Sequence, residues 1–249
     1  MTNFLQNDSS ADAPELGRNL THGMLNLLGQ AIVVGNYEGR PFPTEAELSK
    51  QHGVSRSVTR EAVKMLTAKG LLQARPRRGT SIQPTSQWNL FDTDVLRWML
   101  ERKLSSDLLR QFNLLRVAIE PEAAALAAQF AGPVEREAIT AGLNRMIAAE
   151  QGLDDTLASD LEFHIAVLRA SRNPFYQQFR EVVSTALRTS IRFTNRIKGR
   201  TASISDHAAV RDAIDRGDPD AERKAMRNLI DDVLVLLDDM ERRDGKALA

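Results

Sequence analysis

Apolar positions recur at helical spacing along most of this chain, and at strand spacing in one short stretch. Between Leu16 and Val34, residues Leu25, Leu28 and Ile32 share a helical stripe, and Gly35 can close that helix. Pro43-Thr44-Glu45 opens a short second helix from Thr44 to about His52, and Gly53 makes a turn. Ser55 caps a third helix running to Lys69, where Gly70 ends it. The following segment, LLQARPRRGTSIQP, alternates weakly and carries Pro76 and Gly79, as a small β-hairpin does. Helix, helix, turn, helix, hairpin is the order of a winged helix-turn-helix.

Pro84-Thr85-Ser86 reads as a linker, and beyond it no strand pattern occurs. Ser106 or Asp107 can cap a helix whose core face is Leu108, Phe112, Leu115 and Ile119, with Pro121 expected to kink or restart it. Further helices are predicted over 133–151, 155–171, 174–198, 204–216 and 219–243. The 174–198 helix puts Phe175, Phe179, Val182 and Ala186 on one stripe, and the last puts Met226, Ile230, Val233 and Leu237 on another. The predicted fold is mainly α. A loose tail occupies 1–15, a winged helix-turn-helix 16–83, a linker 84–91 and an all-α bundle 92–243.

Composition narrows the function. Hydrophobic residues are 42% of the 249, enough for packed cores, and the absence of cysteine excludes disulfides and cysteine-based metal sites or nucleophiles. No apolar run approaches the roughly 20 residues that cross a bilayer, and the polar start lacks the features of a signal peptide. A cytoplasmic protein with no membrane partner is the expectation. The formal net charge is zero, yet between Arg40 and Ile82 nine basic residues face three acidic ones, while the last helix is acid-rich. A basic segment on a neutral protein points to one local polyanion-binding surface.

The third helix begins Ser55-Arg56-Ser57-Val58-Thr59-Arg60. Hydroxyls and arginines at a helix N-terminus suit phosphate anchoring and base-edge reading in a major groove. Arg56 and Arg60 lie one turn apart, each capable of a bidentate contact with guanine, and the hairpin tip sets Arg75, Arg77 and Arg78 where a wing meets DNA. The stretch Phe42-Pro43-Thr44-Glu45-Ala46-Glu47-Leu48, with Gly53-Val54-Ser55-Arg56, Thr59-Arg60-Glu61-Ala62-Val63, Lys69-Gly70-Leu71 and Arg78-Gly79-Thr80, closely resembles the GntR family of bacterial regulators. The resemblance implies that Ser55, Arg56, Ser57 and Arg60 contact operator DNA, and that Gly79 and its neighbouring arginines enter the minor groove. Thr44 joins the same set. Many members carry arginine where this chain has Ala46, so one family contact should be missing.

In the second half, Leu115-Arg116, Ile119-Glu120-Pro121-Glu122-Ala123-Ala124, Asp160-Leu161-Glu162-Phe163-His164 and Asp206-His207-Ala208-Ala209-Val210 resemble the FCD-type effector domain of the FadR subfamily, over about 92–240. The segment Gln87–Trp98 looks closer to one branch, the repressors of galactonate and related sugar-acid operons. Asp160 and His164, four apart on a helix, can reach one metal ion, although such a pair is more often a surface hydrogen bond. The resemblance implies the metal and adds His207; the second later histidine would stand at Leu229, which cannot ligate. Three ligands of this kind suit zinc first, or nickel or manganese.

Arg116 is the candidate for an effector carboxylate, with a salt bridge to Glu120 as its structural alternative. Arg188 and Arg192 could line a pocket or face solvent, and Asn228 is a weak pocket candidate because helix geometry turns it about 100° from Leu229. Trp88 and Trp98 are expected to pack between the domains.

Together these readings give a homodimeric, non-enzymatic repressor that binds a pseudo-palindromic operator and releases it on binding a sugar acid such as galactonate. Three alternatives differ from it: a metal-free acyl-coenzyme A binder expects no metal ligands, a metal-dependent hydrolase needs a general base that the sequence does not offer, and a pure dimerisation module leaves Arg116 and the ligand triad unexplained.

Overall fold

Two helix caps set the geometry of the first domain. In a computed structural model, which describes residues 13–75, 79–102, 106–198 and 203–247, Thr44 caps α2 (Glu45–His52) and Ser55 caps α3 (Arg56–Ala68). Thr44 forms a full capping box: its hydroxyl accepts from the Glu47 amide, and the Glu47 carboxylate accepts from the Thr44 amide at 2.8 Å. Between the helices Gly53 sits at φ 64°, a left-handed conformation that costs glycine little. Its N–H bonds the Ser49 carbonyl and closes α2. These helices pack on α1 (Ala13–Val33) around Leu25, Leu28, Ile32, Leu48, Ala62 and Leu66. The antiparallel strands β1 (Leu72–Arg75) and β2 (Gly79–Ile82) form the expected hairpin, pairing Leu72 with Ile82 and Arg75 with Gly79.

The first compact unit does not stop at the hairpin. It extends to Arg102 and takes in a 3-10 turn at Thr85–Gln87 and helix α4 (Thr93–Arg102), which packs on α1. The expected linker at 84–91 therefore belongs to this unit. Gly70 lies so close to the Gln87 carbonyl that a Cβ would stand 2.3 Å from its oxygen. The Asn89 amide donates to the Lys69 carbonyl at 3.0 Å. Trp88 and Trp98, expected between domains, are both buried in the first unit's own core. The Trp98 ring rests on Gly29, where a Cβ would meet ring carbons at 2.4 Å, and its Nε1 donates to Asn26 Oδ1.

The second unit, from Lys103 onward, is helical in its described residues: α5 (Ser106–Phe130), α6 (Pro133–Glu150), α7 (Thr156–Ala170), α8 (Pro174–Gln178), α9 (Arg180–Lys198), α10 (Ile204–Arg216) and α11 (Pro219–Ala247). The predicted 174–198 helix is thus two helices, and Phe175, expected on its core stripe, is 78% exposed. Pro121 neither ends nor restarts α5, which runs on through it; the missing N–H takes one partner from the ladder. The α5 core face also differs from the expected one. Leu109, Phe112, Asn113, Arg116, Glu120 and Ala124 are buried, whereas Leu115 and Ile119 are half-buried. At the centre runs α7, buried from Ser159 to Ala170 at all but a few positions. It lies against α6 so closely that a Cβ on Gly142 would come 3.0 Å from the Phe163 Cα.

Candidate functional site

The candidate DNA-reading face follows from the burial of α3. Thr59, Ala62, Val63 and Leu66 turn inward, which leaves Arg56, Ser57, Arg60 and Lys64 exposed on the other side. Ser55 is exposed but engaged, since its hydroxyl accepts from the Val58 amide and contacts Ser57 Oγ at 2.9 Å. Thr44 is likewise a cap, exposed at the start of α2. At the hairpin Arg75 is exposed, donating to Gln73 Oε1 at 3.0 Å, and Gly79 takes φ 78°. Arg77 and Arg78 lie outside the described residues.

Deep in the second unit, Asp160 and His164 of α7 meet His207 of α10. All three are buried, and their ligand atoms lie within 4.8 Å of one another. Asp160 Oδ1 is 3.3 Å from His164 Nε2 and 3.3 Å from His207 Nε2. These contacts are not aligned as hydrogen bonds, so Asp160 Oδ1 and His207 Nε2 have no hydrogen-bond partner. Buried polar atoms without partners are rare and costly. The spacing fits a divalent ion, because donors about 2.0–2.1 Å from a tetrahedral centre stand about 3.3–3.4 Å apart. The other imidazole nitrogens are already committed. His207 Nδ1 donates to the Ser203 carbonyl at 2.7 Å, which leaves Nε2 with its lone pair.

Around this cluster α5 supplies a buried ion pair. Arg116 Nε and Nη2 donate to the Glu120 carboxylate at 2.5 and 3.2 Å, and Nη1 donates to Asn113 Oδ1 at 3.1 Å. Glu120 Oε2 also faces His164 Nδ1 at 2.7 Å. Burial would raise the Glu120 pKa, but the Arg116 and His164 charges and hydrogen bonds bring it down to about 2. The same contest holds Asp160 below the usual carboxylate range: burial opposes ionisation, and the His164 and His207 rings outweigh it. For His164, burial works against the charged ring, yet Glu120 and Asp160 shift its pKa upward.

Sequence reasoning found the three clustered residues and Arg116, and the structure brings Arg116 beside them, its Nη2 3.5 Å from His164. It weighed Glu120 only as Arg116's partner and missed its contact with His164. An acidic residue one turn beyond a buried arginine was the available signal. Arg188 and Asn228 are exposed, so neither belongs with the buried cluster; the Arg192 side chain lies outside the described residues. Leu229 is buried among the apolar residues of the second core, with Phe163 and Val210. A groove of about 420 Å³ along α1 and α4, lined by Leu27, Ala31, Val34 and Trp98, includes none of these polar residues.

Two family models match separate parts of the chain. Residues 25–82 match the model of the bacterial regulatory proteins, gntR family, and residues 112–232 match the FCD domain. The galactonate operon transcriptional repressor of Escherichia coli K12 is 35% identical over 217 residues, covering 85% of this chain and 94% of that protein. The chain belongs to the GntR family. The HTH-type transcriptional regulator YieP of the same bacterium is 34% identical over 220 residues, covering 86% of this chain and 93% of its own. The solved structure of Lar, described as controlling the Listeria monocytogenes agr system, shares the fold at TM-score 0.53 and 18% identity, covering 94% of this chain and 98% of that one. This GntR protein is a DNA-binding transcriptional regulator, not an enzyme. No helix among its described residues is long and apolar enough to cross a membrane.

Proposed function

We propose that this regulator is a homodimeric repressor of a sugar-acid catabolic operon, released from a pseudo-palindromic operator by a small carboxylate of the galactonate type. The observation that carries the reading is the buried Asp160–His164–His207 cluster with its unpartnered atoms beside Arg116. Buried charges are expensive, and apolar residues of like volume would often stabilise a core better, so a binding role accounts for their presence. Similarity to a repressor of the galactonate operon supports the choice of effector.

Asp160, His164 and His207 would hold a divalent cation, zinc first, with nickel or manganese as alternatives. Once bound, the ion supplies a Lewis-acidic anchor for carboxylate and hydroxyl oxygens. Arg116 has guanidinium protons left on Nη1 and Nη2 after serving Glu120 and Asn113, and it stands 3.5 Å from His164. Those protons can receive the effector's carboxylate. Release of DNA then requires only that the effector prefer one arrangement of the protein, with a coupling of about 1–3 kcal/mol, or roughly 5- to 150-fold in DNA affinity.

The test pairs calorimetry of galactonate and related sugar acids, with and without zinc, with gel shifts on DNA selected from a random pool. Zinc-dependent binding that releases the DNA is expected. Arg116→Lys keeps a counter-charge for Glu120 but removes the fork, so it should bind DNA normally and respond weakly. Wild-type sugar-acid affinity in that variant would remove Arg116 from the effector site.

A further inference from the structure

The two histidines of the cluster are set by different devices. His207 is fixed by backbone: its Nδ1 bonds the Ser203 carbonyl, the cap residue of α10 itself. His164 has no such tie. Its Nδ1 stands 2.7 Å from Glu120 Oε2, a side chain on another helix, and its Nε2 faces Asp160. A carboxylate accepts, so it holds the proton on Nδ1 and leaves Nε2 free on the Asp160 side.

Glu120 is in turn immobilised from behind. Arg116 grips both of its oxygens, Asn113 Oδ1 accepts from Arg116 Nη1, and Asn113 Nδ2 donates to the Leu109 carbonyl at 2.8 Å. Leu109, Asn113, Arg116 and Glu120 climb one buried face of α5 in steps of three and four residues, and the series ends on the imidazole. A structural tie within α5 would need the arginine and the glutamate alone. Here Glu120 Oε2 lies between Arg116 Nη2 and His164 Nδ1, within reach of both.

We propose that Glu120 is the positioning residue of the metal centre. It fixes the tautomer and orientation of His164 so that Nε2 converges with Asp160 Oδ1 and His207 Nε2, and Arg116 acts first by holding Glu120 in place. The inference rests on the reading of Asp160, His164 and His207 as ligands to a divalent ion. It also explains how an anion at Arg116 would be felt at the metal: the guanidinium and the imidazole share one carboxylate.

Zinc affinity of the full chain, measured by competition with a chromophoric chelator, tests the proposal, with the cobalt absorption spectrum as a reporter of ligand geometry. Glu120→Ala should weaken zinc binding about 10- to 100-fold and alter the cobalt bands, while Glu120→Gln, which keeps an acceptor oxygen, should retain most of the affinity. Glu120→Ala leaves Arg116 buried without its partner, so an Arg116→Met/Glu120→Gln variant removes both charges and should show an intermediate loss. Long-range proton–nitrogen spectra of zinc-loaded wild type need no variant, and should show His164 protonated at Nδ1 and metal-bound at Nε2. Binding through Nδ1, or wild-type zinc affinity and cobalt spectrum in folded Glu120→Ala, overturns the proposal and leaves the metal site standing. Failure of the wild type to bind zinc or cobalt overturns both.

Discussion

At the foot of α3, the Lys69 ammonium lies 2.8 Å from both carboxylate oxygens of Asp92. The same nitrogen is 2.9 Å from Asp94, and the three side chains are largely shielded from solvent. Burial favours the neutral amine, but the two aspartates overcome it and raise the Lys69 pKa. Asp92 Oδ1 also accepts from the Asp94 and Val95 amides at the start of α4. One lysine thus clamps the end of α3 to the beginning of α4. Lys69→Met should leave two carboxylates facing each other and cost about 1–3 kcal/mol, read by urea denaturation.

The arginines on the exposed face of α3 should behave differently. Arg56 and Arg60 are exposed and contribute nothing to the core. Arg56→Ala and Arg60→Ala should each weaken binding to selected operator DNA by about 1–3 kcal/mol with melting temperature unchanged. Gel-shift titrations on operator and scrambled DNA would show it. Equal losses on both DNAs would make these residues phosphate contacts rather than base readers.

Glu222 on α11 gives a pH signature. Its side chain is fully buried, neither oxygen has a hydrogen-bond partner, and burial lifts its pKa from 4.5 to about 8 against a weaker opposing pull from Arg216. The folded protein thus binds a proton there that the unfolded chain releases near pH 4.5. Its contribution to stability is complete below the unfolded pKa and is lost as pH rises toward 8. Glu222→Gln should remove this decline, and its advantage over wild type should grow between pH 5 and pH 8 by on the order of 3 kcal/mol. Denaturant titrations of both proteins at the two pH values supply the comparison.

Leu229 offers the converse of ligand removal. It stands where the family resemblance places a further histidine, on the α11 face that closes the second core. Leu229→His should tighten zinc by about tenfold or more by adding an imidazole to three existing donors. The sugar-acid affinity should fall, because one coordination position is no longer open. Chelator competition and calorimetry on the same preparation measure both.

Local signals carried most of what was legible in the chain. Ser55 and Thr44 marked helix starts, Gly53 marked a turn and Gly70 an end, and an i,i+4 spacing placed Asp160 with His164. What escaped depended on partners distant in sequence. Apolar periodicity put the α5 core face on Leu115 and Ile119, because periodicity counts only apolar side chains, whereas the buried face includes Asn113 and Glu120, which Arg116 and His164 satisfy. Phe175 looked like core and is exposed, since Asn173 caps a separate short helix there and breaks the stripe. Trp88 and Trp98 gave no hint of their hosts: a tryptophan's burial depends on a trough elsewhere, for Trp98 one opened by the missing side chain of Gly29.

That trough decides where the protein can be divided. A fragment ending after the hairpin at Ile82 would lose both indoles and open a strip of α1 to water, whereas one ending at Arg102 keeps its interior whole. Designers who graft this reading head onto a foreign sensor should therefore carry α4 across with it. A junction placed after Arg102 transplants the whole first core; one placed at the wing transplants an exposed apolar seam, and with it a tendency to aggregate.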